Sequence, residues 1–302
     1  MVDLKKIHRG RRSMPPRVLI YGFDGTGKTT FAIKAPKAFT IDADRGSHKF
    51  DIGESVTPDT WTEFIDWLTA IEAGHVKCES VVLDSITRLE TMLHESIFSG
   101  TTIDEFGGGY GRGDTYAVNK WREVLAQLER LWEKGKTIVM VAHAQVKAFS
   151  DPTGPSFDRF EIACRPKLAA ALRQWTDHVL FCREEVVTAG KKNEKRAATT
   201  GVRYAYTRRC PAFDAKARAS LMFPERILLS WQSFADELKK DETRDADMRE
   251  EIRAMLSEIA DKTLDTQVDA FLKEHPESIL DARNRVAEKL DEHRKNAAPA
   301  AS

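Results

Sequence analysis

The chain has 302 residues, with 47 Lys and Arg against 47 Asp and Glu, so its formal net charge is zero; 41% of it is apolar and 31% charged. That length fits one large α/β domain with a small appendage or two modest domains, and neutrality excludes a global basic field, so any nucleic-acid surface has to be local. Four cysteines (Cys78, Cys164, Cys182, Cys210) lack C-x-x-C spacing, which speaks for reduced thiols and against a zinc site. With no apolar run of membrane-span length and no apolar signal core, the expectation is a soluble protein of the cytoplasm.

Residues 1–16 carry Lys5, Lys6, Arg9, Arg11 and Arg12 and end in Met14-Pro15-Pro16. They read as a flexible, solvated basic arm, with contact to DNA or a neighbouring subunit as the alternative. The apolar run Val18-Leu19-Ile20-Tyr21 then leads into Gly22-Phe23-Asp24-Gly25-Thr26-Gly27-Lys28-Thr29, a complete G-x-x-x-x-G-K-[ST] pattern, and Thr30-Phe31-Ala32-Ile33-Lys34 opens a helix. In that strand–loop–helix context the glycines let backbone N–H groups wrap a phosphate. Lys28 is placed to reach the β- and γ-phosphates, and the Thr29 hydroxyl suits Mg²⁺. The phosphate-binding set is Gly22, Asp24, Gly25, Thr26, Gly27, Lys28, Thr29 and Thr30.

A second strand, Ala38-Phe39-Thr40-Ile41, ends in Asp42-Ala43-Asp44. Thr57-Pro58 gives an N-cap and first-turn signal, and Trp61, Phe64, Leu68 and Ile71 follow at helical spacing as a core-facing stripe. Ser80-Val81-Val82-Leu83-Asp84-Ser85 is an apolar β-branched run closed by an acid. A buried parallel strand presents a carboxylate at the sheet's C-terminal edge in this way, and in P-loop NTPases that acid helps hold Mg²⁺.

Gly107 to Gly113 is too glycine-rich for regular structure and reads as a mobile loop over residues 99–115. Its Tyr110 and Arg112 supply a stacking group and a cation of the kind a single strand of DNA requires, and a plain connector fits equally. Val118, Trp121, Leu125, Leu128 and Trp132 mark a further helix. Thr137 to Ala142 is a buried strand finishing on His143, either a hydrogen-bonded structural residue or a γ-phosphate sensor.

Residues 144–162 mix Pro152, Gly154 and Pro155 with Lys147, Phe149, Phe157 and Arg159, and read as a second mobile loop beside the nucleotide. Lys167 to Gln174 reads as a helix. Residues 178–181 and 202–207 read as strands of a hairpin whose tip carries Lys191, Lys192, Lys195 and Arg196. Asp214-Ala215-Lys216-Ala217-Arg218 follows, then a last strand near Ile227-Leu228-Leu229. From 236 the chain turns charged, with apolar stripes for two or three short helices and a disordered Ala/Pro tail. The expected organisation is therefore an arm (1–16), an ATP-binding domain (17–235) and a helical extension (236–302).

This order of parts resembles the RecA-type P-loop ATPases over about residues 17–232, and among them the phage ATP-binding proteins of the ATP-dependent single-strand annealing group. The phosphate loop has the recombinase length, with an acid at its third position. Val141-Ala142-His143 falls at the sensor position, and Ala215-Lys216-Ala217-Arg218 matches an Ala-Lys-x-Arg element. The resemblance implies a RecA-like core with a mainly parallel central sheet flanked by helices. It also implies ATP and Mg²⁺ as ligands, with Thr29 and Asp84 on the metal.

Within the resemblance Asp44 takes the general-base position, with a shorter side chain than the family's Glu. Lys28, Asp44 and His143 then act at the site, and Lys216 and Arg218 reach a neighbouring subunit's nucleotide. The loops around Tyr110 and Arg112, and around Lys147, Phe149 and Arg159, fall where the family binds DNA. The implied function is Mg²⁺-dependent ATP hydrolysis on single-stranded DNA in phage recombination or annealing, by a homo-oligomer working with a single-strand DNA-binding protein. The alternative is a nucleotide-driven switch or assembly factor with a protein partner. Nothing in the sequence supplies the lid and acceptor pocket of a small-molecule phosphotransferase.

Overall fold

A computed structural model describes residues 14–46, 50–150, 154–189, 196–218, 223–275 and 278–297. The basic residues of the arm, Lys191, Lys192 and Lys195 at the hairpin tip, and the Ala/Pro tail lie outside the described residues, as does the side chain of Arg196. The chain divides into two compact units, Met1–Ala235 and Asp236–Ser302.

In the first unit, short apolar runs form strands and the amphipathic stretches between them form helices. β1 (Arg17–Gly22) leads into α1 (Lys28–Ala32), then come β2 (Ala38–Asp42), β3 (Glu54–Val56), α2 (Trp61–Glu72), β4 (Ser80–Asp84) and α3 (Ile86–Ile97). α4 (Arg112–Glu133) follows a 3₁₀ turn at Phe106–Gly108 and precedes β5 (Thr137–Phe149), β6 (Phe157–Ile162) and α5 (Pro166–Trp175). β7 (His178–Ala189), β8 (Arg196–Tyr206), β9 (Lys216–Ala217) and β10 (Arg226–Leu228) complete the sheet.

The strand order is β10-β8-β7-β1-β5-β4-β2-β3. The pairs from β7 through β1, β5, β4, β2 and β3 are all parallel, while β8 and β10 add an antiparallel edge. Strands such as Val18-Leu19-Ile20-Tyr21 and Val81-Val82-Leu83 are wholly buried, as befits a parallel sheet covered on both faces. Trp121 of α4, with Phe64 and Leu68 of α2, packs into the same core as these strands. At the opposite, N-terminal edge, Arg17 pairs with Asp177 and Glu129, and its guanidinium lies 4.3 Å from the centre of the Trp132 ring.

Several sequence expectations are corrected. α2 is capped by Thr60, whose hydroxyl accepts from Glu63 N. Glu63 in turn accepts from Asp59 N, one residue before that cap, so the cap at Thr60 outcompetes the Thr57-Pro58 signal. The glycine-rich stretch is partly helical: α4 starts at Arg112, with Asp114 in its first turn, and Arg165 pairs with both Asp104 and Asp114.

Residues 144–162 are not an irregular loop. β5 runs on past His143 and pairs antiparallel with β6, with Val146 opposite Phe160 and Phe149 opposite Phe157. Gly154 and Pro155 fall between the strands, where they interrupt no ladder; Pro152 lies outside the described residues. The edge strand β3 is too short to give a sequence signal; α3 went unread, although Ser85 caps it and Ile86, Leu89 and Leu93 stand at helical spacing.

The C-terminal helices are longer than expected. α6 (Trp231–Ile259), whose first five residues belong to the first unit, has 29 residues, α7 (Lys262–Glu274) 13 and α8 (Ile279–Ala297) 19. Met248, Ile252, Leu256, Val268, Leu272, Ile279, Ala282 and Val286 form the core of the second unit. Arg283 pairs with Glu251, and Arg294 with Glu258, between α6 and α8.

Candidate functional site

Strand order decides which side chains meet. β1 delivers the phosphate loop beyond Gly22, and on the adjacent β5 His143 stands in register with that glycine. Next comes β4, where Asp84 lies in register with Val141 of β5 and with Asp42 of β2. Asp44 follows two residues past the end of β2. All four strands run parallel, so their carboxyl ends share one edge, the usual place for a ligand on such a sheet. Lys28, Asp44, Asp84 and His143 are thus brought together.

The loop is held from below. A β-carbon at Gly22 would lie 2.7 Å from Cys182 Sγ on β7, so only glycine allows this approach. Gly27 caps α1 at φ 98°, a left-handed conformation that disfavours any side chain. Thr26 Oγ1 donates to Phe23 O (2.8 Å) and lies 3.3 Å from Cys182 Sγ. Lys28, 6% exposed, donates through Nζ to Gly22 O (2.9 Å) and Phe23 O (2.8 Å). Asp24, Gly25 and Thr30 are exposed.

Thr29 Oγ1 donates to Asp84 Oδ2 at 2.6 Å. Burial pushes the Asp84 carboxyl up to about 6; the Thr29 bond opposes this and the neighbouring Asp44 and Asp42 add to it. A buried carboxylate among other acids gains from a cation nearby. Among the described residues no three His, Cys, Asp or Glu side chains converge as an all-protein metal cage. Mg²⁺ bound through a hydroxyl, a carboxylate, water and phosphate oxygens requires none. Thr29 and Asp84 fit that donor set.

His143 bridges two carboxylates, with Nδ1 2.6 Å from Asp24 Oδ1 and Nε2 2.9 Å from Asp44 Oδ2. The Asp44 bond raises the His143 pKa, desolvation opposes it and Asp24 raises it further. Burial would lift Asp44, but hydrogen bonds from His143 and Ser85 outweigh it and hold the carboxyl below its ordinary value. Thr87 Oγ1 accepts from the backbone N of His143 at 3.1 Å. Sequence reasoning passed over Ser85 and Thr87; an acid–Ser step at a strand end, opening a helix, was the available signal.

A histidine gaining partners contributes stability that is fully present below the unfolded value near 6.5 and lost as pH rises through the raised folded value. The His143 imidazole is therefore expected to titrate above 6.5 by NMR, and to fall back toward that value in Asp44→Asn. A wild-type midpoint at or below 6.5 would contradict the bridge.

Lys216 and Arg218 do not join this cluster. Lys216 pairs with Val179, which is level with Leu19, three residues short of the loop and roughly 10 Å back along the sheet. Its Nζ donates to Arg173 O (2.6 Å), while Arg218 Nη1 donates to Asp177 (3.3 Å). Neither reaches the phosphate loop of its own chain.

Of the residues read as DNA contacts, Tyr110 is 99% exposed and Lys147 is exposed on the β5–β6 hairpin. Arg112 is exposed but folds back, Nη1 donating to Gly107 O at 2.6 Å. Phe149 is half-buried against Phe157, ring centres 5.4 Å apart. Arg159 is buried and paired with Asp214, which leaves it no free charge for a strand.

Among known families, the model of the AAA domain matches residues 14–219. That span contains the phosphate loop, Asp44, Asp84, His143 and the Lys216–Arg218 element. None of the curated proteins matches the chain.

Proposed function

The chain belongs to the AAA domain family, and from that premise we propose that it is a Mg²⁺-dependent ATPase that acts on single-stranded DNA as an oligomer, in phage-type recombination or annealing. Its fold is a P-loop NTPase core. The observation that carries the reading is the convergence of Lys28, the Thr29–Asp84 pair, Asp44 and His143 on one edge of the sheet.

Bound Mg²⁺ supplies charge neutralisation of the phosphates. Lys28 adds a positive charge at the β- and γ-phosphates, and Thr29 and Asp84 hold the metal. Asp44, kept ionised by His143 and Ser85, orients the attacking water. Phosphoryl transfer asks the protein mainly to position groups and spread charge, which these side chains do. Lys216 and Arg218, remote from their own loop, serve the nucleotide of a neighbouring subunit.

Two contacts support a link from nucleotide to DNA. His143 lies on the strand that becomes the β5–β6 hairpin, and its carbonyl accepts from Ala163 N at 2.8 Å, just past β6. Phe23 of the phosphate loop meets Phe160 of β6 edge-on at 5.5 Å. A change at the terminal phosphate therefore bears directly on the hairpin that presents Lys147.

Phosphate release with and without oligonucleotide at several salt concentrations tests the reading. Turnover is expected to rise with single-stranded DNA and the effect to fade as salt increases. Turnover without any DNA binding at low salt would remove the DNA role and favour a protein partner.

A further inference from the structure

The sequence pattern marks one cation at the phosphate loop; the fold brings a second. Arg203 of β8 lies with its Nη1 3.4 Å, and its Cδ 3.9 Å, from the position a β-carbon on Gly27 would take. Leu229 Cδ2 approaches the same point to 3.5 Å. The pairing that puts Arg203 there is well defined: it stands opposite Glu184 on β7, and its carbonyl accepts from Leu229 N at 2.9 Å. The next residue, Tyr204, packs instead under Arg226, whose guanidinium lies 4.2 Å from the ring centre.

Most arginines packed against the sheet are neutralised, unlike Arg203. Arg17, Arg159, Arg165, Arg218 and Arg226 each pair with a carboxylate. No carboxylate among the described residues pairs with Arg203, and its side chain is exposed. Lys28 is held at the start of the loop by Gly22 and Phe23, whereas Arg203 meets the loop at its end, by Gly27. Both charges act on the Cys182 thiol, which is buried beneath the loop. Two cations around one short stretch of backbone, one of them without a counter-charge, make a site for an anion.

We infer that Arg203 is a nucleotide-contacting residue that supplies, from within the same chain, positive charge to the phosphates of an ATP or ADP held by the loop. The inference rests on the ATP-binding reading above. It also assigns a role to the antiparallel edge of the sheet: β8 and β10 form one wall of the nucleotide site. The guanidinium recognises phosphate oxygens, which a nucleotide and a DNA strand both offer, and its position against Gly27 selects the nucleotide.

The test is calorimetric titration of ATP and ADP into the full chain, comparing wild type with Arg203→Ala, Arg203→Lys and Lys28→Ala, alongside binding of a single-stranded oligonucleotide. Arg203→Ala is expected to raise the Kd for ATP and ADP roughly tenfold, with Arg203→Lys recovering part of the loss and the oligonucleotide affinity unchanged. Because Arg203 is exposed and unpaired among the described residues, its thermal melt should match that of wild type. Nucleotide affinity within twofold of wild type overturns the inference, as does a loss confined to DNA. Wild type that binds ATP, with binding lost in Lys28→Ala but kept in Arg203→Ala, sinks the Arg203 role alone. Wild type that binds no ATP removes the reading beneath it.

Discussion

Lys28→Ala is expected to lower ATP turnover by about a hundred- to a thousandfold, the usual loss when one positioned donor to developing charge is removed. Two observations support so large an effect. The Nζ is fixed by Gly22 O at 2.9 Å and Phe23 O at 2.8 Å, so the charge is pre-positioned and not free to wander. Lys28 is also 6% exposed, so its interactions are poorly screened by water. Lys28→Arg should not rescue, because a planar fork cannot take the place of a compact ammonium between two carbonyls. Alanine is a good helix former in the first turn of α1, and circular-dichroism melting should show a folded variant. Unchanged phosphate release would refute the assignment.

Asp84→Asn is expected to move stability and activity in opposite directions. Burial raises the Asp84 pKa from 3.8 to about 6. A group whose folded value is raised contributes stability fully below its unfolded value, here near 3.8, and loses that contribution as pH rises through about 6. At pH 8 the ionised carboxylate therefore weighs against the fold. The amide, which still accepts from Thr29, should raise the unfolding free energy there by about 3 kcal/mol. That gain should shrink toward pH 5. Mg²⁺-dependent turnover should fall by about a hundredfold, since an amide is a poor ligand for a hard cation. Denaturant titrations at the two pH values, with phosphate-release assays, measure both. A variant less stable than wild type at pH 8 would show that the site does not store this electrostatic cost.

The parts of the fold legible in the sequence were those with local causes. Val18-Leu19-Ile20-Tyr21 and Val81-Val82-Leu83 read as buried parallel strands because nearly every side chain is apolar, and the turn from β1 into α1 was legible because the glycines and lysine of Gly22–Thr29 sit at fixed offsets. Residues 144–162 misled because prolines and glycine were counted without asking where they fall; the alternation around Val146 and Phe160 forms a ladder, and Gly154 and Pro155 sit between its strands. Arg159 looked like a surface cation because its partner Asp214 is 55 residues away in sequence. The same limit hid Arg203, which nears Gly27 only once β8 is placed beyond β7. His143 at a strand end was visible, but its bridge between Asp24 and Asp44 depends on three separate segments meeting.

The most direct measurement is a structure of the chain with Mg²⁺ and a non-hydrolysable ATP analogue. The account predicts the terminal phosphate between Lys28 and His143, the metal on the Thr29 hydroxyl with Asp84 beside it, and Asp44 facing the terminal phosphate. A nucleotide bound away from the Gly22–Thr29 loop, or a metal held by neither Thr29 nor Asp84, would contradict it.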